Sequence, residues 1–215
     1  MSQPTYLINE IFTSIEGETS FQGIPMLFIR FTGCNLRCKY CDTTYAYFEG
    51  KEFTLERILE EIKKASLEFV HITGGEPLIQ KDMDLLINSI KGKTVLIETN
   101  GSVDIAPFQK ENTVIILDMK TPGSGEERAN FYKNLEVVRK KDEIKFVITD
   151  REDYLWTKKI IENYRLTEKG CVINLSPAIP YLKPSVLAEW IVDDKLNVRF
   201  NLQIHKFIWG DKRGV

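Results

Sequence analysis

The sequence has no charge excess to exploit. Its 29 basic and 31 acidic residues leave a formal net charge of -2 and are mixed along the chain. That excludes the basic face by which a nucleic-acid binder tracks phosphates. No apolar run approaches the roughly 20 residues needed to cross a bilayer. The opening "MSQPTYLINEIF" lacks a basic segment followed by an apolar core, so no signal peptide is expected. Low-complexity segments and short-period repeats are missing as well. These absences point to a cytoplasmic protein with neither membrane nor nucleic acid as partner. Cysteine is sparse, with four in 215 residues, yet three of them fall within "CNLRCKYC", Cys34 to Cys41. In a reducing compartment such a cluster more often binds metal or does chemistry than forms disulfides.

What is present is an alternation. Apolar, strand-like stretches cover 26–33, 68–75, 94–101, 113–120, 144–150, 171–177 and 197–205. Helical spacing covers 54–66, with Thr54 as N-cap, and 81–92, closed by Gly92. Further helices are expected over 126–140, 151–164 and 183–194. Strand–helix alternation favours a parallel sheet with covering helices, and runs such as "TVIIL" predict strands buried on both faces. A doubly wound sheet and a barrel both satisfy this pattern. In either, ligands bind beyond the carboxyl ends of the strands. The unusual residues gather there: the cysteines after the first of these strands, then Gly74-Gly75-Glu76-Pro77, Thr99-Asn100-Gly101 and Lys120-Thr121-Pro122-Gly123 after the next three. With 43% hydrophobic residues, the length suits one domain with a substantial core.

Cys34, Cys38 and Cys41 are spaced C-x3-C-x2-C. A structural zinc site usually has four protein ligands. The fourth cysteine, Cys171, lies in a distant apolar stretch and reads as a small buried hydrophobe. Three thiolates without a fourth suggest a metal centre with one open position, as in a [4Fe–4S] cluster that leaves one iron free. The spacing, with Tyr40 before the last cysteine, resembles the signature of the radical S-adenosylmethionine superfamily. "TGGEP" (73–77) resembles its methionine-binding element, and glycines there let backbone approach a ligand closely.

Three further stretches narrow the resemblance. "SIEGETSFQGIPMLFIRFTGC" (14–34), "CDTTYA" (41–46) and "FNLQIHKFIWG" (200–210) are similar to segments of the 7-carboxy-7-deazaguanine synthase family. With "ETNG" (98–101) the similarity spans nearly the whole chain. It implies an incomplete (β6/α3) TIM-like barrel of the radical S-adenosylmethionine type. It implies one domain over 1–215, with N- and C-terminal substrate-binding extensions. The implied reaction is the ring contraction of 6-carboxy-5,6,7,8-tetrahydropterin to 7-carboxy-7-deazaguanine with loss of ammonia, in queuosine biosynthesis. In it a 5′-deoxyadenosyl radical takes hydrogen from C6 of the pterin and later returns it, so S-adenosylmethionine is regenerated. Implied with it are Mg2+, a flavodoxin- or ferredoxin-type electron donor and a homodimer.

The resemblance also assigns residues. Cys34, Cys38 and Cys41 hold the cluster and Thr43 the magnesium. Tyr40, Cys41, Asp42, Gly75, Asp118, Met119 and Lys120 contact the cofactor. So do Ser176, Pro177, Ala178 and Ile179, where some relatives have Gln-Pro. Ile15, Glu16, Gly17, Arg30, Thr73 and His205 contact the substrate. Arg30, within "MLFIRF", is costly to bury unpaired, and its guanidinium fork suits a substrate carboxylate. His71 shares a strand face with Thr73 and is expected to be a packed core residue. A glycyl-radical-enzyme activase has the same cysteine spacing, but it needs a peptide groove, against which Arg30, "SIEGE" and "LQIHK" argue.

Overall fold

The computed structural model describes residues 3–215. Strand β1 (Thr5–Ile15) pairs antiparallel with β2 (Pro25–Phe31) on one side and β3 (Lys51–Thr54) on the other. Helix α1 (Leu55–Ala65) follows, its N-terminus closed by Thr54, which accepts from the Arg57 amide. Ile58 and Ile62 face the core from α1. Fully burying such side chains contributes about 1.5–3 kcal/mol each. Next come β4 (Phe69–Gly74), α2 (Met83–Ser89), β5 (Thr94–Thr99) and β6 (Thr113–Met119). The chain continues through α3 (Asn134–Val137), β7 (Glu143–Ile148), α4 (Arg151–Asn163) and β8 (Val172–Pro177). It ends with α5 (Pro184–Asp193), β9 (Arg199–Phe200) and α6 (Ile204–Trp209).

The nine strands among the described residues form one sheet, ordered β3-β1-β2-β4-β5-β6-β7-β8-β9. From β2 to β9 every pairing is parallel, and β3 and β9 do not meet. The sheet is thus an open wall built on six long parallel strands, as the incomplete barrel requires.

Period two divides each strand between two environments. Leu27, Ile29 and Phe31, Val70 and Ile72, Ile115 and Leu117, Ile144 and Phe146 join the large core beneath the helices. The opposite face of the sheet is apolar at first. Met26, Phe28, Leu96, Val114 and Ile116 pack there against Phe12, Phe21, Ile24 and Phe69. Toward the carboxyl ends this face turns polar with Arg30, Thr73, Glu98, Asp118, Lys145 and Ser176, all of which line one cavity. The apolar plug below and the polar rim above place the site at one end of the wall.

Three expectations change. The helix over 126–140 is replaced by a turn of 3-10 helix at Glu127–Ala129 and the single turn α3. The cause is local: Asn130 exchanges both its amide groups with the backbone of Lys120, and Asn134 bonds the backbone of Val103 and Ile105. Asparagine that serves a neighbouring loop competes with helix formation. The strand over 197–205 stops at Phe200, and His205 belongs to α6. The long strand β1 is of intermediate burial over most of its length, and it had no sequence counterpart.

Candidate active site

The cysteine loop leaves β2 and is fastened on three sides. Gly33 donates to Ala46 O, Lys39 to Ser124 O, and the Arg37 amide to Glu126. Arg37 also donates through Nη1 to the carbonyls of Cys34 and Leu36. Cys34, Cys38 and Cys41 are unpaired, half-buried and on the cavity wall; Cys171 is buried elsewhere, in the core. Burial pushes the Cys38 thiol up to about 11 and raises that of Cys34, so thiolates here need compensating positive charge. Among the described residues no three His, Cys, Asp or Glu side chains converge on a point that would hold a single ion. Thiolates that each bind a different iron of a cube stand farther apart than ligands of one ion.

The strand ends beside this loop are built for close approach. Gly74 has φ of +142°, a conformation that favours glycine. A Cβ on Gly75 would lie 2.1 Å from Gly33 O and 2.9 Å from Cys34 Cβ. The glycine pair therefore backs the end of β4 directly onto the cluster loop. Glu76 anchors the turn: it is fully buried and accepts from the amides of Leu78 at 2.8 Å and Asn100 at 2.6 Å and from the Thr99 hydroxyl at 2.9 Å. Burial lifts its carboxyl to about 7 despite those donors.

Further along the rim, Asp118 accepts from Lys120 at 2.9 Å, while its Oδ1 is buried without a partner. The buried Tyr40 hydroxyl is orphaned too. Met119 differs from its neighbours: its side chain lies in the large core, so only its backbone reaches the rim. Ser176, Pro177, Ala178 and Ile179 complete this side of the cavity.

The other side joins the two ends of the chain. Ile15, Glu16 and Gly17 line the cavity beside His205. A Cβ on Gly17 would fall 1.9 Å from His205 Nδ1, and the Ile204 amide donates to Gly17 O at 2.9 Å. Arg30 donates through Nε to Glu10 at 2.8 Å and lies near the Phe12 and Tyr45 rings. Asp42 accepts from Thr43 at 2.9 Å and from Lys206 at 2.7 Å. Burial opposes its charge, but Lys206 prevails and holds the carboxyl at about 2.

The structure adds residues that sequence reasoning missed. Lys145 lies 2.9 Å from Glu18, 2.5 Å from Glu98 and 3.8 Å from Asp118. Thr73 donates to Glu98 at 2.9 Å. Glu18, Glu98, Lys145, Gln203 and Lys206 all line the cavity, as does Val215. A lysine inside "IKFVI" was the available signal, because an unpaired charge is not tolerated mid-strand. His71 is buried, as expected, yet it faces the cavity.

Comparisons with known proteins agree with this geometry. Residues 28–165 match the Radical SAM superfamily. The 7-carboxy-7-deazaguanine synthase of Koribacter versatilis is 40% identical over 94% of this chain and 96% of its own. That of Thermoplasma acidophilum is 40% identical over 97% of this chain and 100% of its own. The chain belongs to the 7-carboxy-7-deazaguanine synthase family of radical S-adenosylmethionine enzymes. The crystal structure of QueE from Escherichia coli superposes with a TM-score of 0.73 at 26% identity, covering 93% of this chain and 94% of that one. The cofactors of the family, a [4Fe–4S] cluster and S-adenosylmethionine, are those of this protein. Its residues fit them: three free thiols around one cavity, a glycine turn seated on their loop, and orphaned polar atoms of Tyr40 and Asp118 close by.

Proposed function

We propose that this cavity holds S-adenosylmethionine and a pterin side by side. The protein is a 7-carboxy-7-deazaguanine synthase: it contracts 6-carboxy-5,6,7,8-tetrahydropterin to 7-carboxy-7-deazaguanine with loss of ammonia. When bound, the cluster and its S-adenosylmethionine supply the electron and the 5′-deoxyadenosyl radical that start the reaction.

The protein's own residues then bind and orient. Cys34, Cys38 and Cys41 would hold the cluster. Gly75 presents backbone toward the cofactor's methionine part, and Asp118, Lys120, Tyr40 and the Ser176–Ile179 segment receive its nucleoside. Cys41 and Asp42 would contact the cofactor, with Asp42 held by Lys206. On the substrate side, Arg30 has its Nε committed to Glu10, which directs the guanidinium and leaves its Nη groups to clamp the pterin carboxylate bidentately. Thr73, Glu98 and Glu16 offer acceptors to the ring's N–H groups, with Ile15, Gly17 and His205 closing over it. Thr43 would offer one hydroxyl to Mg2+.

The same proposal treats the chain as one domain, with its N-terminal segment (14–17) and C-terminal segment (203–206) as substrate-binding extensions of the wall. A homodimer, an electron donor of the flavodoxin or ferredoxin type and a cytoplasmic setting complete the reading. No helix among the described residues is long and apolar enough to cross a membrane.

One observation carries the assignment: the three cysteines and the Ile15–Gly17/His205 junction line a single cavity. Anaerobic turnover by reconstituted, reduced protein with the pterin and S-adenosylmethionine tests it. A product lighter than the substrate by one ammonia is expected. Cleavage of S-adenosylmethionine without any change in the pterin would refute the substrate assignment.

A further inference from the structure

His71 is one of the two histidines in the chain. It sits in the middle of β4, 3% exposed, with the Phe28 ring 5.0 Å away. Its Nδ1 is 2.5 Å from Glu16 Oε2, and its Nε2 is 3.8 Å from Glu98 Oε2. Nε2 is buried and has no hydrogen-bond partner. A ring that serves only as packing does not strand a buried polar nitrogen between two acids, since an unmade buried hydrogen bond is costly.

The charges around the ring come from four strands. Glu16 follows β1, Arg30 lies on β2, Glu98 on β5, and Lys145 on β7 reaches Glu98 from the far side. A neutral imidazole has a single N–H. Given to Glu16, it leaves a lone pair facing the Glu98 carboxylate. Given to Glu98, it leaves a lone pair against Glu16. Only the protonated ring satisfies both acids. Burial works against that charge, but Glu16 and Glu98 outweigh it and raise the imidazole above its ordinary 6.5, with Arg30 in opposition.

We propose that His71 is a positioning residue for substrate binding: its imidazolium holds Glu16 by a hydrogen bond at Nδ1 and attracts Glu98 by charge from Nε2, so that both carboxylates meet the N–H donors of the pterin in one orientation, and loss of its proton releases them. The inference rests on the pterin reading above and adds a pH-dependent latch to it. Because the ring is charged below its raised pKa and neutral above it, binding weakens as pH rises through that value.

The test uses reconstituted protein under anaerobic conditions with 6-carboxypterin, a stable oxidised analogue of the substrate, as the calorimetric probe. Between about pH 6 and about pH 9 the wild-type Kd should rise about tenfold, the scale of one charge-assisted hydrogen bond. The His71→Gln variant should bind about tenfold more weakly at the acid end already, and its Kd should rise less with pH than that of wild type. In turnover its KM should rise with the Kd while kcat moves less. Nitrogen-15 labelling of the two histidines, with His205→Gln to distinguish them, should show both His71 nitrogens protonated near pH 6 and one released at a raised pKa. That measurement needs only the wild-type fold at position 71. Binding that ignores pH, a His71→Gln profile parallel to wild type, or a neutral His71 ring near pH 6 would overturn the role of His71 alone. Failure of the wild type to bind the pterin at any pH would overturn the pterin reading and the latch together.

Discussion

At the scale of single residues, the cysteines do different work for identifiable reasons. Cys34, Cys38 and Cys41 lie on the cavity wall, whereas Cys171 packs in the core. Replacing Cys38 with Ala should abolish iron retention and S-adenosylmethionine cleavage, measured by metal analysis and formation of 5′-deoxyadenosine. Cys171→Ala should retain both at a cost of about 1 kcal/mol in stability. Glu76 gives a second test, through pH. Its folded-state pKa, about 7, lies above the ordinary 4.5, so the folded protein holds this proton more tightly than the unfolded chain. That contribution is full below about 4.5 and is lost as pH rises through about 7, about 3 kcal/mol in all. Urea titrations should therefore show stability falling from acid to neutral pH less steeply in Glu76→Gln than in wild type. The variant should also be weaker at low pH, because its amide cannot accept from the Asn100 N–H that Oε2 now receives. Identical pH slopes in the two proteins would contradict the assignment of that proton to Glu76.

The residues legible in the sequence are those whose chemistry is local. Three cysteines on one loop and a glycine pair after a strand can be read without a fold. Glu98, Lys145 and His71 could not be joined that way. They come from three strands and meet only when β4, β5, β6 and β7 lie side by side in parallel register.

At the scale of elements, capping and periodicity were legible and side-chain diversion was not. Thr54 was read as the N-cap of α1 and is one. Thr54→Ala should cost about 1 kcal/mol of stability and leave turnover unchanged, since α1 is remote from the cavity. The missing helix over 126–140 shows the limit: its spacing suited a helix, but two asparagines hold neighbouring loops instead. The resemblance assigned Ile15–Gly17 and His205 to one substrate side, but their direct contact was not legible, because it joins positions nearly 190 apart (Gly17 and Ile204). Its prediction is sharp. Gly17→Ala places a methyl 1.9 Å from His205 Nδ1, so the His205 ring must move. The KM for the pterin should rise about tenfold or more, as expected when a positioning contact moves by an ångström. S-adenosylmethionine cleavage without the pterin should persist. An unchanged KM would mean that the junction does not shape the substrate side.

At the scale of the whole molecule, the sheet is left open and its two faces have different purposes. One face carries the core under the helices; the other changes from an apolar plug to a polar rim along each strand. The sequence pattern allowed a doubly wound sheet or a barrel, and the resemblance chose the open barrel that the pairing shows. Buried charge concentrates on that rim, in the chain from Glu18 and Glu98 through Lys145 to Asp118 and Lys120. Such a network is costly unless every member is paired, and it ties the proposed pterin side of the cavity to the cofactor side. If both ligands share this one cavity, close enough to exchange hydrogen, turnover of pterin deuterated at C6 should place deuterium in the 5′ position of the cofactor, accumulating as product forms. Mass analysis of the recovered S-adenosylmethionine reads this out. Product that forms while the cofactor stays free of deuterium would refute the shared cavity.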